Sequence, residues 1–138
     1  MRPPSKAVLV DTNILVRYLI GTPREMAEKA ALLIDSNEPL LLSELALVET
    51  AYVLSSMYGM QRADITDALM DLVQRQNFQS LSLPKPLLLE ALRLCRDSKR
   101  YSFTDAFLWA QARMLGVAIY SFDGRFPSEG IEILEIPL

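Results

Sequence analysis

The chain has 138 residues, of which 51% are hydrophobic, and a formal net charge of −3. This length and composition suit a single domain over residues 1–138 with a hydrophobic core of its own. The sequence contains no histidine, which excludes Ser-His-Asp and Cys-His nucleophiles, histidine general bases and His-ligated zinc.

The sequence carries no signal for export or membrane insertion. The six residues before Ala7 are too short and proline-rich for a signal peptide, and no apolar stretch approaches the roughly 20 residues of a membrane span. The single cysteine, Cys95, cannot form a disulfide within the chain, which suits a reducing compartment. We therefore expect a soluble, cytoplasmic protein with no membrane partner.

The hydrophobic pattern predicts short buried strands that alternate with helices or helix pairs. Strands are predicted over residues 6–11, 40–42, 78–83, 117–122 and 131–136. Helices with apolar residues three and four positions apart are predicted over residues 12–20, 23–36, 44–57, 62–76, 85–97 and 105–115. The pattern indicates an α/β fold in which helices cover both faces of a mostly parallel sheet.

Local signals predict three helix starts and one buried helix face, and the first of these starts has Ser43 as the N-cap of the third helix. Thr22 and Thr104 are the predicted N-caps of the second and sixth helices, because threonine hydroxyls accept hydrogen bonds from free N–H groups of the first turn. The third helix is predicted to bury Leu45, Val48 and Tyr52, which share a face by their spacing.

Two of the predicted strands end in an aspartate. The apolar run 7–10 leads into Asp11, and the run 118–122 leads into Asp123. If both strands are parallel, both carboxylates leave the sheet at the same edge, where ligands bind in open α/β sheets. Each aspartate alone could equally be a helix cap or a turn former, but two at matched strand ends favour a shared site.

Two further acids lie on predicted helices. Glu49 falls beside the apolar stripe of the third helix, where acids are rare unless they are paired or bound to a metal. The alternative is a rim position with the carboxylate in solvent. Asp105 lies in the first turn of the sixth helix, where an acid also complements the helix dipole. With Asp11 and Asp123, these residues predict one group of four carboxylates.

A group of four carboxylates would favour cation binding. Two carboxylates about 4 Å apart repel by roughly 4 kcal/mol at an effective dielectric of about 20, so the group would take up protons or bind cations. Ligation by oxygen alone favours Mg²⁺ or Mn²⁺ over zinc, and such a cation can activate water and stabilise a phosphoryl oxygen. Thr12, Asn13 and Ser121 are candidates to orient ligands or the water, although each is also an ordinary cap or turn residue.

A basic segment precedes Asp105. Arg93, Arg96, Lys99 and Arg100 could neutralise phosphates beside the acids, or they could be cations at a solvated helix end. The overall negative charge argues weakly against a nucleic-acid ligand, but four acids at a metal site would account for it by themselves.

Four segments, in this order, resemble those of PIN-domain proteins, and most of all the small, single-domain VapC-type toxins. The segments are Asp11-Thr12-Asn13-Ile14-Leu15, Glu49, Thr104-Asp105-Ala106-Phe107-Leu108-Trp109-Ala110 and Ser121-Phe122-Asp123. The resemblance covers nearly the whole chain and implies a PIN-like three-layer α/β/α fold with a mostly parallel sheet of four or five strands. It also implies a metal-dependent endoribonuclease, with Asp11 and Asp105 as the main ligands of Mg²⁺ or Mn²⁺ and with Glu49 and Asp123 completing the catalytic group.

The same resemblance implies partners besides the RNA substrate. A VapC-type toxin forms a homodimer and pairs with a small antitoxin that holds the enzyme inactive. The tail of the antitoxin would lie across or near the acids, and the implied docking surface is formed by the helices near residues 14–19 and 45–57.

Two other functions fit parts of the pattern. A non-catalytic PIN-like module that binds RNA or protein would not need the four acids, all of which are present. An aspartyl-phosphate hydrolase that resembles the haloacid dehalogenases also has an aspartate after its first strand. That family usually has a second aspartate two residues later, where this chain has Asn13.

Overall fold

The structure, a computed structural model, describes residues 7–81, 89, 91 and 100–137. In chain order, the described strands are β1 (Val8–Val10), β2 (Leu40–Ser43), β3 (Phe78–Leu81), β4 (Ile119–Tyr120) and β5 (Ile133–Leu134). The described helices are α1 (Thr12–Ile20), α2 (Arg24–Ile34), α3 (Glu44–Ser56), α4 (Arg62–Val73) and α5 (Phe103–Leu115).

The described strands form one sheet in the order β3-β2-β1-β4-β5. Each neighbouring pair is parallel, and β1 lies in the centre with Leu9 opposite Leu41 of β2 and Ile119 of β4. The short, continuously apolar strands are those of a sheet buried on both faces. The predicted parallel sheet within a three-layer α/β/α fold is confirmed. Because β1 and β4 are parallel neighbours, the residues that follow them emerge side by side.

The core consists of apolar side chains from the central strands and from the inner faces of the helices. Its largest fully buried apolar members are Leu9, Ile14, Leu15, Ile34, Leu40, Leu42, Leu54, Leu72, Leu108 and Ile119. Burying one such side chain stabilises the fold by about 1.5–3 kcal/mol. The core therefore fixes α1, α3 and α5 against the sheet, and all three helices carry residues of the candidate site.

The buried face of α3 differs from the prediction. Val48 and Tyr52 are each 69% exposed, whereas Ala46, Thr50 and Leu54 are buried. Apolar residues occur on several sides of this helix, so their spacing alone does not select the inner face. The small side chains of Ala46 and Thr50 allow close packing, and the larger Val48 and Tyr52 are left outside.

Both predicted threonine caps were wrong. Helix α2 has Pro23 at its N-cap, with no side-chain hydrogen bond from that residue. Helix α5 is capped by Ser102, whose hydroxyl accepts the Asp105 N–H at 3.0 Å. Thr104 therefore lies inside the first turn. The predicted Ser43 cap of α3 is confirmed, since its hydroxyl accepts the Leu45 N–H at 3.2 Å.

Some predictions concern residues that the structure does not describe. The predicted helix over 85–97 lies outside the described residues apart from Leu89 and Ala91, which are helical. Arg93, Arg96 and Lys99 also lie outside them. Within the described part of the chain, no helix is long and apolar enough to span a membrane.

Candidate active site

A cleft of about 330 Å³ opens at the carboxyl ends of β1 and β4. All four acids predicted as site residues line it: Asp11, Glu49, Asp105 and Asp123. They come from the end of β1, from α3, from the first turn of α5 and from the loop after β4. The fold thus brings together four carboxylates that are spread over more than a hundred positions of the sequence.

Asp11 lies at the base of this cleft and is only 2% exposed. Its Oδ1 accepts the N–H of Thr12 at 2.7 Å, so it caps α1. Its Oδ2 accepts the hydroxyl of Ser121 at 2.6 Å. Asp11 therefore does cap a helix, as the alternative interpretation had it, and this role leaves its second oxygen facing the loop after β4.

The Ser121 hydroxyl joins the two strand ends. Besides donating to Asp11, Ser121 Oγ accepts the Asp123 N–H at 3.0 Å and lies 3.4 Å from the amide nitrogen of Asn13. The side-chain oxygen of Asn13 accepts the N–H of Phe122 at 3.3 Å. These bonds hold the loop that carries Asp123 against the start of α1. The predicted supporting residues Asn13 and Ser121 thus contact the acids or the loop that bears them.

Glu49 is half-buried and reaches the cleft from α3. Its Oε2 accepts the Thr12 hydroxyl at 3.3 Å. Thr12 is buried directly after Asp11, so this bond joins α3 to the end of β1. The third predicted supporting residue therefore also lies in the site, between two of the acids.

Burial and mutual repulsion raise the pKa values of two acids. Burial, then the charge of Asp105 and more weakly that of Glu49, raise the pKa of Asp11 to about 7 against the opposing hydrogen bonds from Ser121 and Thr12. Burial, then the charges of Glu49 and Asp123, raise the pKa of Asp105 to about 6. The negative charge of Asp105 thus opposes the ionisation of Asp11. A cation in the cleft would relieve this repulsion.

The donor set of the cleft fits a hard cation. It offers carboxylate, hydroxyl and amide oxygens, whereas zinc sites are usually built from histidine and cysteine. Among the described residues, no three acidic side chains converge into a ready-made metal site. Mg²⁺ needs no such cage, because it keeps several waters and binds through one or two carboxylates. The residues therefore suit a hydrated Mg²⁺ or Mn²⁺ ion, which Asp11 and Asp105 could hold.

Sequence reasoning missed the other end of the cleft. Its described lining also includes Val16, Arg17, Val53, Met57, Tyr58 and Ser102. One signal was present, since Val16 and Arg17 lie one helical turn beyond Thr12 and Asn13 and hence on the same side of α1. The predicted basic contributor Arg100 is exposed and is not among the lining residues, and its guanidinium lies 5.6 Å from the Tyr101 ring centroid.

A larger groove of about 550 Å³ lies between α3 and α4. Its lining is mostly apolar, includes Ala51, Ile65, Leu69, Met70 and Val73, and contains no acid. Size alone would favour it as a ligand pocket. We nevertheless place the candidate active site in the smaller cleft, because the lining of the groove offers no carboxylate to hold a metal ion or activate water.

The comparisons with known proteins agree on one family. The PIN domain family model matches residues 8–129. Mycobacterium tuberculosis VapC20, a toxin that cleaves the sarcin–ricin loop, is 27% identical, with a TM-score of 0.73 over 91% of this chain and 96% of that one. No curated protein matches the sequence.

Two DNA-bound VapBC structures share the fold at lower identity. The structure from Salmonella typhimurium is 14% identical, with a TM-score of 0.70 over 96% of this chain and 99% of that one. VapBC2 from Rickettsia felis, bound to a fragment of its promoter, is 15% identical, with a TM-score of 0.67 over 94% and 98% of the two chains. At these identities the likeness concerns the fold alone.

Proposed function

Because the chain belongs to the PIN domain family, we propose that it is a metal-dependent endoribonuclease and the toxin of a toxin–antitoxin pair. The observation that carries this proposal is the buried Asp11 at the carboxyl edge of the sheet, with three further acids lining the same cleft. A structural role would not require four carboxylates in one cleft, with the pKa values of Asp11 and Asp105 both raised. The similarity to VapC20, a toxin that cleaves an RNA loop, supports RNA as the substrate.

The chemistry of the proposed reaction follows from the donor set. A bound Mg²⁺ or Mn²⁺ would supply a Lewis acid for the phosphoryl group and a water of lowered pKa. Asp11 and Asp105 would hold the ion, and Glu49 and Asp123 would complete its surroundings or position the water. Ser121 and Thr12 would fix the orientation of Asp11 and Glu49 through the hydrogen bonds described above.

The proposal includes a protein partner. Structures of similar fold include VapBC assemblies and a toxin–antitoxin complex from Klebsiella pneumoniae. On this chain, Val48 and Tyr52 expose large apolar side chains on α3, each at 69%. Contiguous apolar surface of this kind marks interaction sites. We assign this α3 surface to contact with the antitoxin or with a second copy in the proposed homodimer.

The family match argues against one of the two alternatives raised by the sequence. An aspartyl-phosphate hydrolase would use a second acid two residues after Asp11, and Asn13 instead donates and accepts hydrogen bonds that hold the loop after β4. A non-catalytic PIN module remains the competing function, and it differs from the nuclease in one measurable property, the cleavage of RNA.

The experiment uses purified protein free of any partner. It is incubated with total RNA and with a synthetic sarcin–ricin loop RNA in Mn²⁺, in Mg²⁺ and in excess EDTA. The proposal predicts discrete cleavage in one or both metals, loss of cleavage in EDTA and its recovery when metal is restored. Equal cleavage in EDTA would exclude a metal-dependent mechanism, and no cleavage under any of these conditions would favour the non-catalytic module.

A further inference from the structure

The cleft extends from the acids to a second end of different chemistry. We call this end the base pocket and define it by Val16 and Arg17 of α1, Val53 of α3, and Met57 and Tyr58 just after α3. Val16 is buried and Val53 half-buried, while Met57 and Tyr58 are 74% and 40% exposed. An apolar wall with one aromatic ring and one cation thus adjoins the four carboxylates.

Arg17 is held in place but keeps hydrogen-bonding capacity. Its Nη1 donates to the carbonyl of Thr22 at 3.1 Å and to the hydroxyl of Tyr58 at 3.2 Å. Its Nε is buried and has no hydrogen-bond partner. Arg17 also makes no ion pair with any of the four acids, as judged over the described residues. A buried donor without a partner is costly, so a shift of the guanidinium that lets this donor meet a ligand acceptor would be favourable.

Tyr58 lies on a fixed turn. Gly59 adopts a φ of 63°, and the N–H groups of Gly59 and Met60 donate to the carbonyls of Ser55 and Leu54 at 3.2 and 3.0 Å. Only glycine takes that positive φ without strain. The turn fixes the backbone of Tyr58, and Arg17 donates a hydrogen bond to its hydroxyl. The Tyr58 ring is therefore preorganised to stack on a flat ligand.

We propose that the base pocket binds one unpaired nucleobase of the RNA, next to the phosphodiester that lies at the acids. This inference rests on the proposed function and adds the part of the substrate that is recognised. A nucleobase is flat and carries acceptors, so it can stack on Tyr58 and meet the free donor of Arg17. A phosphate alone would gain nothing from Val16, Val53 and Met57. The cleft, at about 330 Å³, has the size of a small-ligand site and suits one extruded nucleotide.

The test is a cleavage assay with base-deleted substrates. A single-stranded oligoribonucleotide with one mapped cleavage site is prepared intact and with an abasic residue at each position near that site. For the wild-type protein, one abasic position is expected to raise KM about tenfold, as loss of one stacked base does. Tyr58→Ala should raise KM on the intact RNA by about the same factor, leave kcat within about threefold, and lose the sensitivity to that abasic position.

Two variants separate stacking from other effects. Tyr58→Phe keeps the ring and should retain the abasic penalty. Leu32→Ala removes an apolar side chain that is 56% exposed on α2 and does not line the cleft, so it should behave like the wild type. The inference is overturned if Tyr58→Ala keeps the wild-type KM, or if its KM rises while the abasic penalty persists, because the side chain would then act only on the structure of the protein.

Binding measurements distinguish this inference from the proposed function. In the Asp105→Asn background, the anisotropy of a labelled single-stranded oligoribonucleotide is recorded in Mg²⁺ with and without Tyr58→Ala. About tenfold weaker binding supports the base pocket even if the wild-type protein cleaves no RNA, in which case the proposed function alone fails. Unchanged RNA binding overturns the base pocket. The same conclusion holds if Tyr58→Ala impairs self-association or the binding of a partner protein but leaves RNA binding unchanged.

Discussion

Ser121 Oγ lies 2.6 Å from Asp11 Oδ2, although 110 positions separate the two residues in the sequence. This contact joins the ends of the adjacent parallel strands β1 and β4, and the same hydroxyl accepts the N–H of Asp123. One serine therefore orients the buried carboxylate and holds the loop that carries a second acid.

Replacing this serine tests its importance. Ser121→Ala removes the hydrogen bond that favours the charged form of Asp11, so the pKa of Asp11 should rise further. Hydrogen bonds to metal-ligating side chains typically contribute about 10- to 100-fold to metal affinity or activity. We therefore expect Ser121→Ala to lower Mn²⁺ affinity or the cleavage rate by about that factor. Mn²⁺ titration calorimetry and the cleavage rate measure it. Ser128→Ala, at an exposed position, is the control, and equal effects of both variants would contradict the role of Ser121.

The pKa of Asp11 predicts how the metal-free protein responds to pH. It rises from the ordinary value of 3.8 to about 7 on folding. The folded state therefore holds a proton that the unfolded state has lost, and the free energy of unfolding falls as the pH rises from about 4 through about 7. From pH 5 to pH 8 the loss from this group amounts to about 2–3 kcal/mol.

Urea unfolding in EDTA at pH 5 and pH 8 measures this effect. Other groups also titrate, so the relevant quantity is the difference between the wild type and Asp11→Asn, which keeps the shape of the side chain. We expect the free energy of unfolding to fall more for the wild type than for the variant between pH 5 and pH 8. The same pH dependence in both proteins would mean that Asp11 ionises normally in the folded state.

Metal binding should compete with protons at the same acids. Since ligand carboxylates must be ionised, Mn²⁺ affinity should fall at least about tenfold as the pH falls from 8 to about 5.5. Metal should also raise Tm by mass action, and EDTA should reverse this rise. Thermal unfolding across a Mn²⁺ titration at both pH values provides the measurement. An affinity independent of pH would place the ion away from Asp11 and Asp105.

The outward face of α3 gives a prediction about stability and assembly. Val48→Ser and Tyr52→Ser should change the free energy of unfolding by less than about 0.5 kcal/mol, because both side chains are already exposed. Leu54→Ala should cost about 2–5 kcal/mol, because Leu54 is fully buried. Urea unfolding gives these values, and sedimentation then shows whether the two serine variants weaken self-association. A large loss of stability at Val48 would contradict the exposed position.

Strand ends could be predicted from the sequence because their signals are local. The apolar runs that lead into Asp11 and Asp123 identified two buried strands, and parallel pairing then placed both acids at one edge. Glu49 and Asp105 were found because they are acids beside apolar helix faces. Each of these inferences needed only the chain's own pattern and the general geometry of parallel sheets.

Features that depend on packing between distant elements were not predictable in this way. The inner face of α3 is chosen by close contact through Ala46 and Thr50, which the larger apolar residues on the same helix obscured. The cap of α5 is Ser102 rather than Thr104, because both hydroxyls are capable of capping and only the backbone geometry decides. The contact between Arg17 and Tyr58 joins α1 to the turn after α3, 41 positions away along the chain, and leaves no periodic trace.

The rate of RNA cleavage by Asp105→Asn tests the central claim most directly. The substitution keeps the size and the hydrogen-bonding shape of the side chain while removing one charge from the cleft. In saturating Mn²⁺, kcat should fall at least about 100-fold relative to the wild type, with the fold intact by circular dichroism. Asp67→Asn, an exposed acid on α4, should retain the wild-type rate. Wild-type cleavage by folded Asp105→Asn would contradict a catalytic site built on the four acids.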